Sequence, residues 1–444
     1  MSLILDSYVI SDRIIESFSK KKTLFSSQKW LFDSLTSQMY VLSLSDSQEL
    51  ENILNSSINE IDVQNQSIQE LIRVGIIHDS NVSRSYVLPK STQFELWVQV
   101  VNHCNLACTG CATGMDIRQD FQQKMEINNV KQYIKKIFSD AKEKGFVGVR
   151  VKLGGGEPTL SGAKWIDSFA EEVKNIGDVF GIKVELNILT NGVAINDALI
   201  QVMKNHDIRF SVSLDPERIV PNTTIETLPI VLQKLKLLAD AKIKGNAQFT
   251  IYKNNCDKLS KLYEEVSDME IPIAWSIFRV QDVSQKEYNK YENIIDGLEA
   301  LFISTYNRII EQKYCGQLSV FDYLNVSGVR DSVCGAGDDY VVLDTNGDIY
   351  TCHENIRSRQ PLAKCSDSIN IFNSIREKFL VGKYRMNHYI EGNSLFDIHG
   401  GKGCHWARKI ETGSYANASM NTQKIYQYVG KMLLHLQAVQ MCNT

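Results

Sequence analysis

Six apolar runs alternate with amphipathic stretches through the middle of this chain. The runs at 94–101, 148–153, 184–189, 208–214, 247–252 and 274–280 read as strands. Apolar residues recur at helical spacing in 130–144, 164–176, 197–206, 227–242 and 257–267 between them. Strands alternating with helices predict parallel pairing through crossover helices. The first 90 residues have a different texture. Lys29-Trp30-Leu31-Phe32-Asp33 and Met39-Tyr40-Val41-Leu42-Ser43 read as short strands. Ser45 and Gln48 form a capping box ahead of Leu50, Ile53 and Leu54. A second helix carries Ile68, Leu71 and Ile72 and stops at Gly75; residues 76–79 return as a strand. Residues 80–92 are a polar linker around Pro89. Past 283 a helical stretch (288–312) precedes two strands flanking Asn346-Gly347, a hairpin dipeptide. The pattern divides the chain into 1–90, 93–282 and 283–444.

A chain of 444 residues exceeds one typical core and agrees with that division. Apolar content of 43% and charged content of 23% are those of a soluble globular protein. A net charge of −4 supplies no general attraction to nucleic acid or membrane surfaces. No basic n-region opens the chain and no apolar run is long enough to span a bilayer. Ten cysteines without a secretion signal suit a reducing cytoplasm and metal or redox roles.

The chemistry concentrates in Cys104-Asn105-Leu106-Ala107-Cys108-Thr109-Gly110-Cys111, a C-x3-C-x2-C run at the end of the first central strand. Zinc sites usually show two separated pairs or His partners, and neither is here. Iron–sulfur clusters normally take four thiolates. A trio therefore implies a [4Fe–4S] cluster with one iron open to another ligand. The second strand runs into Gly154-Gly155-Gly156-Glu157-Pro158. Glycines let a backbone approach a ligand closely, and Glu157 can accept from an ammonium group. No Gly-Lys-Ser/Thr follows, so this is not a phosphate loop.

Spacing and context together resemble the radical S-adenosylmethionine (SAM) superfamily. The resemblance implies an α/β fold, a partial (β/α)6 TIM-like barrel, with Cys104, Cys108 and Cys111 holding the cluster. Gly154, Gly155, Gly156 and Glu157 would hold the methionine amino group of SAM. The cluster would reduce SAM to methionine and a 5′-deoxyadenosyl radical, drawing electrons from an external donor such as flavodoxin or ferredoxin. The family usually has an aromatic residue before the third cysteine; here it is Gly110, so no adenine contact is carried over from this loop. Functional groups gather at the C-terminal ends of barrel strands. Thr190, Asn191, Ser213 and Asp215 stand there as candidates for the ribose and methionine parts of SAM. Turn chemistry is the ordinary alternative for Asn191-Gly192 and Asp215-Pro216. Cys256, just past the fifth strand, is either a hydrogen-atom donor to a substrate radical or a packed helix-start cysteine.

Cys334, the hairpin and the Gly347-x4-Cys352 spacing resemble the opening of the SPASM or Twitch auxiliary-cluster domains, with Cys404 returning as a later ligand. No C-x2-C-x5-C run follows Cys352, which implies one auxiliary cluster. Cys365 and Cys315 compete for its fourth position, or that iron is open to substrate. His353 and His405 each follow a proposed ligand and read as supporting or surface residues. The N-terminal pattern resembles the winged-helix-like α+β modules that bind leader peptides by strand addition. A DNA-binding winged helix is disfavoured by the lack of a basic stripe, and a structural cap is the plain alternative. The layout implies a maturase that crosslinks or epimerises a ribosomally made precursor peptide bound through residues 1–90. The alternatives are an oxidase of a protein side chain, resembling sulfatase maturases, an oxidase of a small molecule, and a cluster-bearing DNA regulator.

Overall fold

A computed structural model describes residues 91–108, 111, 113, 123–218, 221, 223–279, 283–313, 335–336, 338–374, 404–414 and 419–443, together with 8–10, 29–33, 38–42, 45, 66–67 and 69. In the N-terminal part, β1 (Tyr8–Ile10), β2 (Lys29–Asp33) and β3 (Gln38–Leu42) form an antiparallel sheet in that order. β2 and β3 are the two strands expected there, and β1 is additional. Ser45 and residues 66–67 and 69 are helical. Gln48, Gly75 and the returning strand at 76–79 lie outside the described residues.

The central alternation builds six parallel strands: β4 (Gln93–Val101), β5 (Gly148–Gly155), β6 (Lys183–Thr190), β7 (Ile208–Leu214), β8 (Gly245–Ile251) and β9 (Ile273–Ile277). Helices α1 (Ile127–Glu143), α2 (Ala163–Phe180), α3 (Asp197–His206), α4 (Leu228–Asp240) and α5 (Leu259–Ser267) follow strands β4 to β8. The helix ends have local causes. Asn196 caps α3 by accepting from Leu199 N at 3.0 Å, and Lys204 and His206 sit in its last turn, where the helix dipole favours positive charge. Gly181 ends α2 in the left-handed region at φ 64°.

The strands alternate more strongly than parallel strands covered on both faces usually do. Phe94, Leu96, Val98 and Val100 are buried in the core, with Phe94 edge-on to Phe138 of α1 at 6.2 Å. Glu95, Trp97 and Gln99 point to the opposite face, which is the barrel lumen. The same alternation places Arg150 and Lys152 of β5, Asn187 of β6 and Ser211 of β7 inside; Lys152 bonds Glu95 and Asn187 bonds Ser211. The lumen face is therefore polar, and the helix-covered face is apolar.

The sheet continues past the 282/283 boundary. The hairpin β10 (Tyr340–Leu343) and β11 (Asp348–Tyr350) adds to the free edge of β4, with Tyr340 opposite Glu95 and Leu343 opposite Val98 in parallel register. β12 (Ala363–Lys364) completes a nine-stranded sheet in the order β12-β11-β10-β4-β5-β6-β7-β8-β9. Among the described residues the sheet does not close on itself, so the barrel is partial. Four residues, Asp344 to Gly347, join the two strands. Asp344 N donates to Asp348 O at 2.9 Å, Gly347 N to Asp344 O at 3.1 Å, and Gly347 takes φ 86°. Helix α6 (Tyr291–Ile310) packs on α5 and on the long C-terminal helix α8 (Met420–Asn443), while the short α7 (His405–Thr412) lies between the hairpin and α8 in sequence. The 3-10 turn His353–Ser358 reaches from β11 to the end of β9. There Arg279 Nη1 donates to Glu354 Oε1 at 2.7 Å and lies 3.1 Å from His353 Nε2.

Helix α8 buries His435, and burial draws its pKa down to about 4. The unfolded imidazole titrates near about 6.5, so the unfolded chain binds the extra proton between those values. Stability is present above the unfolded value and is lost as pH falls toward the folded one, by about 3 kcal/mol from this group. His435→Leu is expected to flatten that acid limb; urea midpoints at pH 7 and pH 4.5 that separate as widely as in the wild type would contradict this.

Candidate functional site

Because β4 to β7 run parallel, their C-terminal ends deliver His103 and Cys104, Gly156 and Glu157, Asn191, and Asp215 to one rim. The main chain locks the first two segments together. Gly156 N donates to Val101 O at 2.8 Å and Glu157 N to His103 O at 2.9 Å. The glycine run also lets the protein pack against itself, which fills the Cβ side of each glycine. A Cβ on Gly156 would stand 1.8 Å from His103 O, one on Gly155 2.4 Å from Val101 O, and one on Gly154 2.3 Å from the Trp97 ring. The glycines let the loop that carries Cys104 lie directly against the strand end that carries Glu157.

Glu157 is 1% exposed and held from four directions. Oε1 accepts from Thr159 N (3.0 Å), Thr159 Oγ1 (2.6 Å) and Thr190 Oγ1 (2.7 Å), and Oε2 accepts from Asn191 N (2.7 Å). Burial pushes its pKa up, and these hydrogen bonds oppose the shift. Among the described residues Oε2 carries a single donor, and it can accept from a further cation. Asn191 also donates to Asn105 Oδ1 at 2.8 Å, and its Nδ2 lies 3.8 Å from Cys104 Sγ. Thr190 and Asn191 thus orient Glu157 and the cysteine loop.

The three cysteines share this rim. Leu106 N approaches Cys104 Sγ at 3.4 Å, and Cys111 Sγ lies 3.5 Å from Thr113 Oγ1, which donates to Gly155 O at 3.2 Å. Burial pushes the Cys104 thiol up to about 12 against the Leu106 N–H, and Glu157, Cys108 and Cys111 raise it further. Mutual repulsion of this kind marks a place that wants bound positive charge. Among the described residues no three His, Cys, Asp or Glu side chains gather closely enough for a single ion. A [4Fe–4S] cluster needs a different arrangement, with each thiolate on its own iron. Three neighbouring thiols beside a buried carboxylate with spare accepting capacity fit such a cluster.

Arg218 was not singled out from the sequence. Its nearest signal was its place three residues after Asp215 in the loop following β7. Burial works against its cation, but Cys108, Asp215, Tyr252 and Cys111 outweigh that and raise its pKa. Its Nε is buried 3.7 Å from Asp215 Oδ2, without a hydrogen-bond partner among the described residues. Asp215 accepts from Tyr252 OH at 3.0 and 2.9 Å and from Glu217 N at 3.0 Å. Ser213 O accepts from Arg218 Nη1 at 3.2 Å. Cys256 stands at the end of β8, its Sγ donating to Lys253 O at 3.3 Å and Asn293 O at 3.4 Å.

In the C-terminal part Cys352 and Cys404 are buried, and Cys334 and Cys315 lie outside the described residues. His353 is neither surface nor incidental. It stacks on Trp97 with ring centroids 4.6 Å apart, its Nδ1 lies 2.7 Å from Tyr340 OH, and the same atom is 3.9 Å from Cys352 Sγ. Cys365 does not join Cys352. Its N–H donates to Gly347 O at 2.9 Å, at the turn end of the hairpin. Cys352 lies at the opposite end, roughly 16 Å away at about 3.3 Å per residue. A cubane spans only a few metal–sulfur bonds of about 2.3 Å each. Cys365 instead packs toward α1, where burial pushes its thiol up to about 12.

Residues 98–254 match the family model described as the radical SAM superfamily. They form a radical SAM domain. The chain is 24% identical over 241 residues to the radical SAM cyclopropyl synthase TigE of Paramaledivibacter caminithermalis, an alignment covering 48% of this chain and 50% of that protein. The match thus spans about half the length of that relative. Two solved structures share the fold at 15% identity. One is native anSMEcpe with bound AdoMet and Cp18Cys peptide, with a TM-score of 0.62 over 79% of this chain and 100% of that one. The other is Streptococcus suis SuiB bound to precursor peptide SuiA, at 0.53 over 95% and 100%. Among the described residues no helix is long and apolar enough to cross a membrane.

Glu157→Gln is expected to weaken SAM binding by about 10- to 100-fold, the worth of one charge-assisted hydrogen bond. Equilibrium dialysis under anaerobic conditions measures this, and unchanged affinity would remove Glu157 from the site. Gly156→Ala drives a methyl into the His103 carbonyl. It should abolish detectable 5′-deoxyadenosine formation, read by chromatography of the reaction with SAM and dithionite.

Proposed function

We propose that this chain is a radical SAM maturase that modifies a ribosomally made precursor peptide, its leader held by residues 1–90. The observation that carries this reading is the continuity of rim and lumen. The three thiols and Glu157 stand directly above a polar cavity wall inside a barrel extended at one edge by its own C-terminal hairpin. The fold likeness to SuiB over 95% of the chain supports it, since that structure holds a precursor peptide. So does the small N-terminal sheet, where β1 and β3 each have one edge unpaired among the described residues, suiting strand addition.

When bound, the cluster and SAM supply a 5′-deoxyadenosyl radical that removes hydrogen from an unactivated carbon. Cys104, Cys108 and Cys111 would hold three irons. Glu157 Oε2 would accept from the SAM ammonium, oriented by Thr190 and Asn191. Arg218 brings a cation beside Cys108 and Cys111 and offsets the negative charge of three thiolates. Asp215, fixed by Tyr252, offers a carboxylate to a ribose hydroxyl beside Ser213. The walls of the barrel position the target and limit water. Cys352, Cys404 and Cys334 are the proposed holders of one auxiliary cluster, with Cys315 the remaining cysteine for its fourth position. An external reductant such as flavodoxin or ferredoxin completes the system, in a cytoplasmic, oxygen-poor setting.

Oxidation of a protein side chain is the second reading, favoured by the TM-score of 0.62 to peptide-bound anSMEcpe. The two separate in one experiment. Anaerobically reconstituted full-length enzyme is incubated with SAM, reductant and the short peptide encoded beside its gene. Modification of that peptide, with photo-crosslinks from its leader to residues 1–90, is the expected result. An unmodified peptide, alongside oxidation of a sulfatase-type Cys peptide, supports the second reading. Replacing Cys104, Cys108 and Cys111 together by alanine should end 5′-deoxyadenosine formation, and persistence of that product would refute the cluster assignment.

A further inference from the structure

The barrel lumen contains polar atoms whose partners are missing. Below the rim, Glu95, Lys152, Arg150 and Glu185 pair with one another, while Arg209 of β7 is exposed opposite Asn187. Glu95 accepts from Lys152 and, at 3.3 Å, from Arg150, which also lies 3.6 Å from Glu185. Above them the neutral groups form an incomplete chain. Asn187 Nδ2 donates to Ser211 Oγ at 3.1 Å, and Ser211 Oγ donates to Asn246 Oδ1 at 2.7 Å. Asn187 Oδ1 is left over, buried and without a hydrogen bond among the described residues. The same holds for Trp97 Nε1 and for both amide atoms of Gln99, a residue that is 0% exposed.

A buried polar atom without a partner costs about 1–3 kcal/mol, and native proteins carry few of them. Two donors and two acceptors gathered in one lumen therefore need a reason. Register places them together. Trp97 and Asn187 both pair with Lys152, on either side of β5, and Gln99 pairs with Gly154 one layer nearer the rim. Asn187 and the β4 pair face each other across β5, roughly 10 Å apart by two strand spacings. Gly154 carries no side chain, and the Trp97 indole lies over it.

We propose that this layer is a subsite for a neutral primary amide of the peptide substrate, an Asn or Gln side chain, held by Gln99 with Trp97 Nε1 and Asn187 Oδ1. The proposal rests on the peptide-maturase reading. A primary amide offers two N–H donors and a carbonyl that accepts twice, and so answers all four atoms, whereas a backbone peptide group has one N–H for two acceptors. A carboxylate only accepts and would leave Gln99 Oε1 and Asn187 Oδ1 unpaired. An ammonium only donates and would leave Trp97 Nε1 unpaired. Arg209 of β7, opposite Asn187, is exposed on this face, and a carboxylate paired with it would still leave the two acceptors unanswered. The adenine edge of SAM also combines donor and acceptor, but Glu157, Asn191 and the cysteine loop sit at the strand ends, whereas Gln99 lies within β4 opposite Gly154.

The test uses the full-length reconstituted enzyme, SAM and the short peptide encoded beside its gene, comparing wild type with Gln99→Leu and Gln99→Met. Without peptide, both variants should melt a few degrees higher, because each removes unpaired buried atoms while roughly keeping volume. The KM for peptide should rise about tenfold or more, and the KM for SAM should hold. Lower melting temperatures in both variants would mean that the amide already has internal partners, and would overturn the subsite. A raised KM for SAM with an unchanged KM for peptide would assign Gln99 to adenine and overturn it as well. A wild-type enzyme that leaves the peptide untouched defeats the maturase reading itself. An active wild type with unimpaired variants defeats only the subsite.

Discussion

The contact on which this structure depends is main chain against main chain. Two hydrogen bonds tie Gly156 and Glu157 to Val101 and His103, and three consecutive residues without side chains make that approach sterically feasible. A thiol loop is short and mostly irregular, and alone it would have many conformations to lose. Anchored along the end of β5, it has few. The same anchor sets the height of Glu157 relative to Cys104, and through Thr190 and Asn191 it reaches β6. Rim geometry is therefore inherited from strand register, which rigid elements set more reliably than loops do.

Electrostatics explain why such a site stays buried. Three thiols, a carboxyl at Glu157 and a second at Asp215 crowd one rim, with Arg218 as the cation beside them. Burial holds the Cys104 thiol protonated, and Glu157, Cys108 and Cys111 add to that effect. Four hydrogen bonds offset part of the desolvation of Glu157. The lumen below follows another rule. Most of its charges on β4 to β6 are paired off within the wall, and the unpaired capacity of Trp97, Gln99 and Asn187 is neutral.

Much of this was legible in the residues. The alternation of apolar and amphipathic runs located β4 to β9 and α1 to α5 because every strand buries one full apolar face and every helix an apolar stripe. The C-x3-C-x2-C run and Glu157 were legible because their chemistry is compact in sequence. What stayed hidden was long-range. Parallel pairing of β10 with β4 has no local signature, since nothing near Tyr340 announces Glu95 as its neighbour. Arg218 became visible only when Cys108 and Cys111 were placed beside it. Cys365 looked equivalent to Cys315 as a ligand until register carried it to the far end of the hairpin. The glycine run was recognised, but its steric partner is Trp97 and the 101–103 backbone.

The placement of β10 has a temporal side. β4 is the first strand of the barrel to leave the ribosome, yet one of its two edges is not covered until residues 340–343 have been made. For most of synthesis that edge is bare and invites pairing with other chains. The thiol loop begins three residues beyond the same strand. A nascent chain must keep this strand and its cysteines in order, or shielded, until about three-quarters of these 444 residues have been made, so the arrival of iron and the completion of the sheet are natural competitors in time.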